Sequence, residues 1–305
     1  MAKSNEALTV DEVASLLQVS RNTVYALKDK GILNSYKVGR KLRFTYADVQ
    51  AYIAGSKKVA TAVKEPREVF GSRRFVISGQ DMILDVLSNY ITQAGVSPLR
   101  SYVGSYDALT DLYKNKTQVA ASHLWDGETD EYNIPFVIKL LPSTPVVIVN
   151  LTYRMQGFYV ARGNPKNLHT WKDLLEPGVV LANREKGAGT RILLDEHLRL
   201  IGANTSLIEG YNRETQSRIA VASMVARGFA DVAIGSEKLA LQIEGIEFVP
   251  LQKERYDLVL KQEVFETRPA KAMMGILESN ILREEFMHFG GYDTSSMGKI
   301  IWMSS

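Results

Sequence analysis

The 305-residue chain has no cysteine, which excludes disulfides, thiol nucleophiles and thiolate metal sites and is compatible with a reducing compartment. It has no run of about 18 apolar residues and no basic-apolar leader at its start, so neither membrane insertion nor export is expected, and a cytoplasmic location is. Motifs that concentrate catalytic chemistry are absent as well. There is no GxSxG elbow, no HExxH pair and no glycine-rich loop ending in Gly-Lys-Ser/Thr, so the chain is expected not to be an enzyme. Excess charge of one sign is also scarce, with 37 Lys and Arg against 34 Asp and Glu.

That near balance hides an asymmetry. Residues 1–58 hold ten Lys or Arg (including Lys37, Lys41 and Arg43) against five acids, a net of +5, whereas the whole chain is +3. The remainder is therefore slightly acidic. A basic module on a near-neutral body is the charge pattern of a chain in which only one part meets phosphate.

Local chemistry in the basic module predicts two short helices joined by a tight turn. Thr9 and Glu12 have capping-box spacing, which starts a helix near Val10, and Val13, Leu16 and Leu17 follow at helical spacing. Ser20 caps a second helix, on which Val24 and Leu27 share one stripe while Arg21, Tyr25 and Lys28 lie on another beside Asn22 and Thr23. The outer face suits a major groove, where Arg pairs bidentately with guanine and Asn with adenine. After Gly31, Ser35–Val38 and Lys41–Phe44 read as strands joined across Gly39 and Arg40, a hairpin whose basic tip suits phosphate contact. Thr45 and Asp48 cap a closing helix through Ile53.

The stretch LTVDEVASLLQVSRNTVYALKDKGILNSYKVGRKLRFTYADVQAYI resembles the excisionase or MerR-like winged helix-turn-helix family. The resemblance implies double-stranded DNA as a partner. The DNA-contacting residues expected are Ser20, Arg21, Asn22, Thr23, Tyr25, Lys28, Lys37, Arg40, Lys41 and Arg43. The domain is expected over residues 1–55, followed by a polar linker over 56–74 with Pro66 and Gly71 as breakers.

From Phe75 onward β-rich runs alternate with helical patterns, which predicts an α/β sheet. Three strands deliver polar turns: Ser78-Gly79-Gln80-Asp81, Gly104-Ser105-Tyr106-Asp107 and His123-Leu124-Trp125-Asp126. A further strand over Val179–Ala182 is expected to feed the turn Asn183–Arg191, whose glycines permit close backbone approach. Turns at carboxyl ends of strands line a crevice in which amides and hydroxyls can hold an anion.

The segments QGFYVARGNPKNLHTWKDLL, GVVLANREKGAGTRILLDEHL, AVASMVARGFADVAIG and FVPLQKERYDLVL resemble the periplasmic-binding-protein-like superfamily, in its branch fused to helix-turn-helix domains and related to molybdate-binding proteins. The fold implied is a two-lobed type II arrangement over 75–305, with lobe 1 about 75–155 and 252–305 and lobe 2 about 156–251. The cleft between lobes is expected to collect Ser78, Gly79, Ser105, His123 and Asp126 from one side and Arg184, Gly189, Thr190 and Arg191 from the other, with Tyr256 near the hinge.

The resemblance implies a ligand-responsive transcriptional regulator that binds a small oxyanion, molybdate or tungstate, and acts as a homodimer or higher homo-oligomer. An arginine in the cleft would equally suit an organic carboxylate or a phosphorylated metabolite. An enzyme on the same fold and a recombination or architectural DNA-binding factor are the competing classes.

Overall fold

The computed structural model describes residues 7–17, 19–29, 33–39, 41–49, 52 and 74–304. Gly31, Arg40, Ile53 and the linker before Arg74 lie outside them. The chain divides into two compact units, Met1–Ser72 and Arg73–Ser305.

In the first unit β1 (Ala7–Leu8) leads into α1 (Val10–Leu17), α2 (Arg21–Asp29), β2 (Tyr36–Val38) and β3 (Lys41–Thr45), and residues 46–49 are helical. Both caps form as the spacing predicts. Thr9 N donates to Glu12 Oε2 at 2.7 Å while Glu12 N donates to Thr9 Oγ1 at 3.3 Å, and Thr23 N donates to Ser20 Oγ at 3.2 Å. Asp48 N donates to Thr45 Oγ1 at 3.1 Å at the third helix. The strands stack in the order β1-β3-β2, with Val38 paired to Lys41 across the hairpin. Val13, Val24, Leu33, Phe44 and Val49 make the core. Leu16 is exposed, and the buried face of α1 is instead Val10, Val13 and Ala14.

The second unit is built on a nine-stranded sheet in the order β11-β10-β12-β9-β13-β6-β4-β5, with β14 (Ile300–Met303) beside β9. Its axis is a pair of 16-residue antiparallel strands, β9 (Val146–Ala161) and β13 (Ile246–Lys261). Each is roughly 50 Å long, so each serves both halves of the sheet. Val146–Thr152 is buried throughout and apolar except at Asn150 and Thr152, as a strand covered on both faces requires.

At one end β13 pairs with β6 (Val119–Ser122), which continues in parallel to β4 (Val76–Ser78) and β5 (Leu99–Ser101). At the other end β9 pairs with β12 (Val232–Ser236), followed in parallel by β10 (Leu181–Arg184) and β11 (Glu214–Thr215). The chain thus passes between halves on β9 and returns on β13, whose register shifts at Pro250/Gln252 and Tyr256/Asp257.

Helices fill the sheet faces. In the first half these are α3 (Met82–Gln93), α4 (Ser105–Tyr113) and α5 (Ile134–Leu140), and in the second α6 (Gly189–Leu200) and α7 (Arg218–Ala226). Helices α8 (Glu237–Ala240) and α9 (Gln262–Phe265) are short, and α10 (Arg268–Glu278) and α11 (Asn280–Phe289) return to the first half to pack on α3. The strand read as Val179–Ala182 lies two residues later, at Leu181–Arg184, so Asn183 and Arg184 are strand residues, and the following turn is shortened to 185–188.

Candidate ligand cleft and nucleic-acid interface

The two halves of the second unit enclose a cleft of about 40 Å³. From the first half it is lined by the loop after β4 (Gly79, Gln80, Asp81), the start of α4 (Gly104, Ser105) and His123 after β6. The axial strands supply Arg154, Gln156 and Tyr256, and the second half supplies Arg184, the start of α6 (Ala188, Gly189, Thr190), Arg218 and Ser236. Two helix N-termini therefore converge on one space, and the first-turn N–H groups of a helix have no intrahelical acceptor.

Close approach of the halves depends on missing side chains. A Cβ on Gly189 would stand 2.3 Å from His123 Cε1, and one on Gly104 would stand 2.8 Å from Gly187 O. Tyr106 N donates to that same Gly187 carbonyl at 3.1 Å.

Beneath the cleft runs a buried relay of alternating charge. Arg154 donates from Nη1 to Asp81 and from Nε to Glu254 Oε1, and Glu254 Oε2 lies 2.8 Å from His123 Nδ1. Arg218 reaches the outer Asp81 oxygen at 3.3 Å, and the other accepts from Ile83 N at 3.0 Å and Tyr292 OH at 2.8 Å. Arg154 also stacks over the Tyr256 ring at 4.3 Å.

Burial works against ionising these carboxyls. For Asp81 the guanidiniums of Arg154 and Arg218 outweigh it and hold the carboxyl at about 2, and for Glu254 Arg154 and His123 do the same, also to about 2. Arg154 is likewise opposed by burial, yet its two carboxylate partners raise it above the usual arginine value. Burial pushes the Tyr256 hydroxyl up and keeps it neutral.

The relay carboxylates compensate Arg154 and engage the half-exposed Arg218, and beside these charges the cleft offers neutral donors. Thr190 Oγ1 is buried at the cleft wall without a hydrogen-bond partner, and Ser78 Oγ and Ser122 Oγ are likewise unpartnered at the ends of β4 and β6, while the unpartnered Gln156 Oε1 is an acceptor. Ser105 Oγ accepts from His123 N at 3.3 Å, which leaves its proton to donate. Buried polar atoms without partners mark places where a further group belongs.

Of the ligand residues expected from sequence, Gly79, Ser105, His123, Arg184, Gly189, Thr190 and Tyr256 line this cleft, and Ser78 lies directly behind Gly79. Two do not reach it. Asp126 is buried in β7 (Trp125–Asp126), where it accepts from Thr129 at 2.8 Å. Arg191 points along the far side of α6, paired with Asp195 at 2.9 Å and stacked over Tyr211 at 4.4 Å. Asp81, Arg154, Gln156, Arg218 and Glu254 were not foreseen. The available signal was charge breaking an apolar strand, Arg154 on β9 and Glu254 on β13, at the point where both strands pass between halves.

In the first unit Arg21, Asn22, Thr23 and Tyr25 are exposed on α2, and Lys37 and Lys41 are exposed on the hairpin. Part of this surface is tied locally. Arg21 Nε lies 2.5 Å from Asp11, Lys28 pairs with Asp29, Ser20 and Thr23 share a hydroxyl contact at 2.9 Å, and Arg43 Nη1 donates to Leu42 O at 3.0 Å. Arg40 lies outside the described residues. Among those residues no helix is long and apolar enough to cross a membrane, and no group of His, Asp and Glu is placed to hold a metal ion.

Residues 88–278 match the PBP superfamily domain and residues 7–57 a helix-turn-helix domain. The chain is 38% identical over 301 residues to the uncharacterized protein YvgK of Bacillus subtilis (strain 168), covering 96% of this chain and 97% of that protein. Among solved structures, a Clostridium perfringens protein assigned as a phosphate ABC transporter substrate-binding protein, with bound phosphate, superposes with a TM-score of 0.54 at 13% identity, over 72% of this chain and 99% of that one. An OxyR cysteine mutant from Corynebacterium glutamicum superposes with a TM-score of 0.52 at 12% identity, over 92% of this chain and 87% of that one. These likenesses are of fold. The chain belongs to the PBP superfamily and joins its ligand-binding domain to a helix-turn-helix domain, the make-up of a DNA-binding regulator.

Proposed function

We propose that the protein is a transcriptional regulator that senses a small oxyanion, molybdate or tungstate first, in the cleft between the halves of its second unit. In this reading residues 1–55 bind double-stranded DNA, 56–74 form a linker and 75–305 bind the ligand, with the lobes dividing near 155 and 251. A cytoplasmic homodimer reading two half-sites completes it.

The observation that carries the ligand class is the neutral donor set. Thr190 Oγ1 is buried without a partner beside the first turn of α6, and Ser105 opens α4 opposite it. Helix-terminal amides and hydroxyls bind an anion without a counter-charge. Arg184, the residue that favoured a carboxylate or phosphorylated metabolite, engages Glu185, Gln80 and two carbonyls through Nε and Nη2. A space of about 40 Å³ admits one small ion, being only a few times what a water requires. The phosphate bound in the similar substrate-binding protein makes phosphate the first competitor.

Thermal unfolding of the chain against molybdate, tungstate, sulfate, phosphate and small carboxylates tests this. A ligand at 100 times its Kd adds roughly 2.7 kcal/mol, a rise of about 5–11 °C for a unit of this size. A response confined to molybdate and tungstate supports the reading. A carboxylate response alone refutes the oxyanion.

A further inference from the structure

We infer that His197 is the pin of an aromatic clasp that holds the cleft shut and that protonation of His197 releases it. The inference rests on the cleft being the ligand site and concerns how that site is regulated.

His197 lies on α6 with its ring between two indoles. Trp125 stacks on one face at 4.3 Å between centroids and 19° between planes, and Trp171 on the other at 4.3 Å and 14°. Its Nε2 meets Gln252 Oε1 at 2.7 Å, and Gln252 passes the contact on through Nε2 to Tyr132 OH at 2.8 Å.

The two indoles come from different halves. Trp171 belongs to the second. Trp125 is carried by the hairpin of β7 and β8 (Glu131–Tyr132), which follows β6 and is rooted in the first half. At its base Leu124 N donates to Asn133 Oδ1 at 2.8 Å, and Asn133 Nδ2 donates to buried Asp257 at 2.8 Å. Closure therefore builds the sandwich and opening must unstack it. Gly127 N, donating to Glu196 Oε2 at 3.0 Å, docks the same hairpin on α6.

Helix α6 connects clasp and cleft. Gly189 and Thr190 form its first turn at the cleft, and His197 lies about 12 Å further along it.

Protonation would bury a cation with no carboxylate in contact, and the cation–π attraction of the two indole faces offsets only part of the lost hydration. The charged and titratable groups facing the ring are Glu196 on α6 and Asp130 and Tyr132 on the hairpin. Glu196 is held by Arg199 at 2.8 Å, and Asp130 accepts from Trp125 Nε1 at 3.0 Å. Burial lowers the His197 pKa, against the pull of Gln252, Asp130 and Glu196. The closed form is fully favoured above the ordinary imidazole value of 6.5 and loses ground as pH falls through and below it.

Tryptophan emission of the ligand-free full chain, in a Trp302→Phe background that leaves Trp125 and Trp171, tests the clasp between pH 8 and 5. A red shift on acidification, while far-UV circular dichroism is unchanged, and its loss in His197→Phe, which keeps the stack but cannot titrate, are expected. The same red shift in His197→Phe, quenching without a red shift, or no change before unfolding overturns the clasp. Titration with molybdate at pH 7.5 and 5.5 is expected to show severalfold weaker binding at the lower pH in the parent and equal binding in His197→Phe. Equal pH dependence in both proteins overturns the coupling. If molybdate binds at neither pH, the ligand assignment fails while the emission result still decides the clasp.

Discussion

Arg184 Nη2 donates to Gln80 Oε1 at 3.1 Å, joining the last residue of β10 to the loop after β4. The bond crosses the cleft from one half to the other. Arg184 is buried, and both oxygens of Glu185 cancel its charge at 2.7 Å. In the proposed reading its role is closure of the cleft. Arg184→Gln is expected to weaken oxyanion binding by about tenfold, the effect of one or two hydrogen bonds, while the order of preference among oxyanions stays the same. Competition titrations with molybdate, sulfate and phosphate read this directly, and an inverted order would place the guanidinium in contact with ligand.

Thr190→Val separates binding from stability. The hydroxyl is buried and has no hydrogen-bond partner within the protein, so its loss leaves the free protein as stable as before or slightly more stable. A hydrogen bond to a charged ligand contributes about 1.5–3 kcal/mol, so binding is expected to fall by about 10- to 150-fold. Calorimetric titration and ligand-free thermal unfolding of the same variant check both halves of the statement.

The buried relay fixes the acid limit of the fold. Asp81 and Glu254 stand at about 2 in the native state against ordinary values of 3.8 and 4.5. The stability they contribute is present above the ordinary values and is lost as pH falls from about 4.5 toward 2. Arg154→Met removes the cation that the two buried carboxylates share and leaves them only Arg218 and His123, which costs up to about 3–5 kcal/mol. Its acid unfolding midpoint, followed by circular dichroism, is expected at higher pH than in the parent.

Gly189→Ala probes the contact between α6 and the first half. The added methyl would stand 2.3 Å from the His123 ring, which Glu254 fixes from behind. The ring or the helix must move, so ligand affinity is expected to drop sharply, with a stability cost of about 1–3 kcal/mol, as in other overpacked cores. A normal affinity in this variant would mean that the halves bind ligand without this approach.

The first unit was legible because its signals are local. Thr9 with Glu12, Ser20 with Thr23, and Thr45 with Asp48 are contacts between residues three apart, and each forms. Leu16 misled because helical spacing does not say which of two adjacent stripes is buried. In the second unit the strand-end turns announced the cleft through Gly79, Ser105, His123 and Thr190. Strands β9 and β13 were only partly legible, since a strand buried on both faces lacks alternation. The Arg154 relay was not, because its partners lie 73 and 100 residues away. Asp126 and Arg191 were drawn into the site by nearness in sequence, although strand and helix geometry turn each of them away from it.

The regulator reading stands or falls on coupling between DNA and ligand. The most direct measurement is the affinity of the full chain, by fluorescence anisotropy, for a duplex selected on it from its own genomic DNA, with and without saturating molybdate, alongside Arg21→Ala and Thr190→Val. The expected result is a change in DNA affinity of about fivefold or more on adding molybdate, weak DNA binding with intact ligand binding in Arg21→Ala, and DNA binding insensitive to molybdate in Thr190→Val. Unchanged DNA affinity in the parent, with molybdate shown by calorimetry to be bound, would contradict the account.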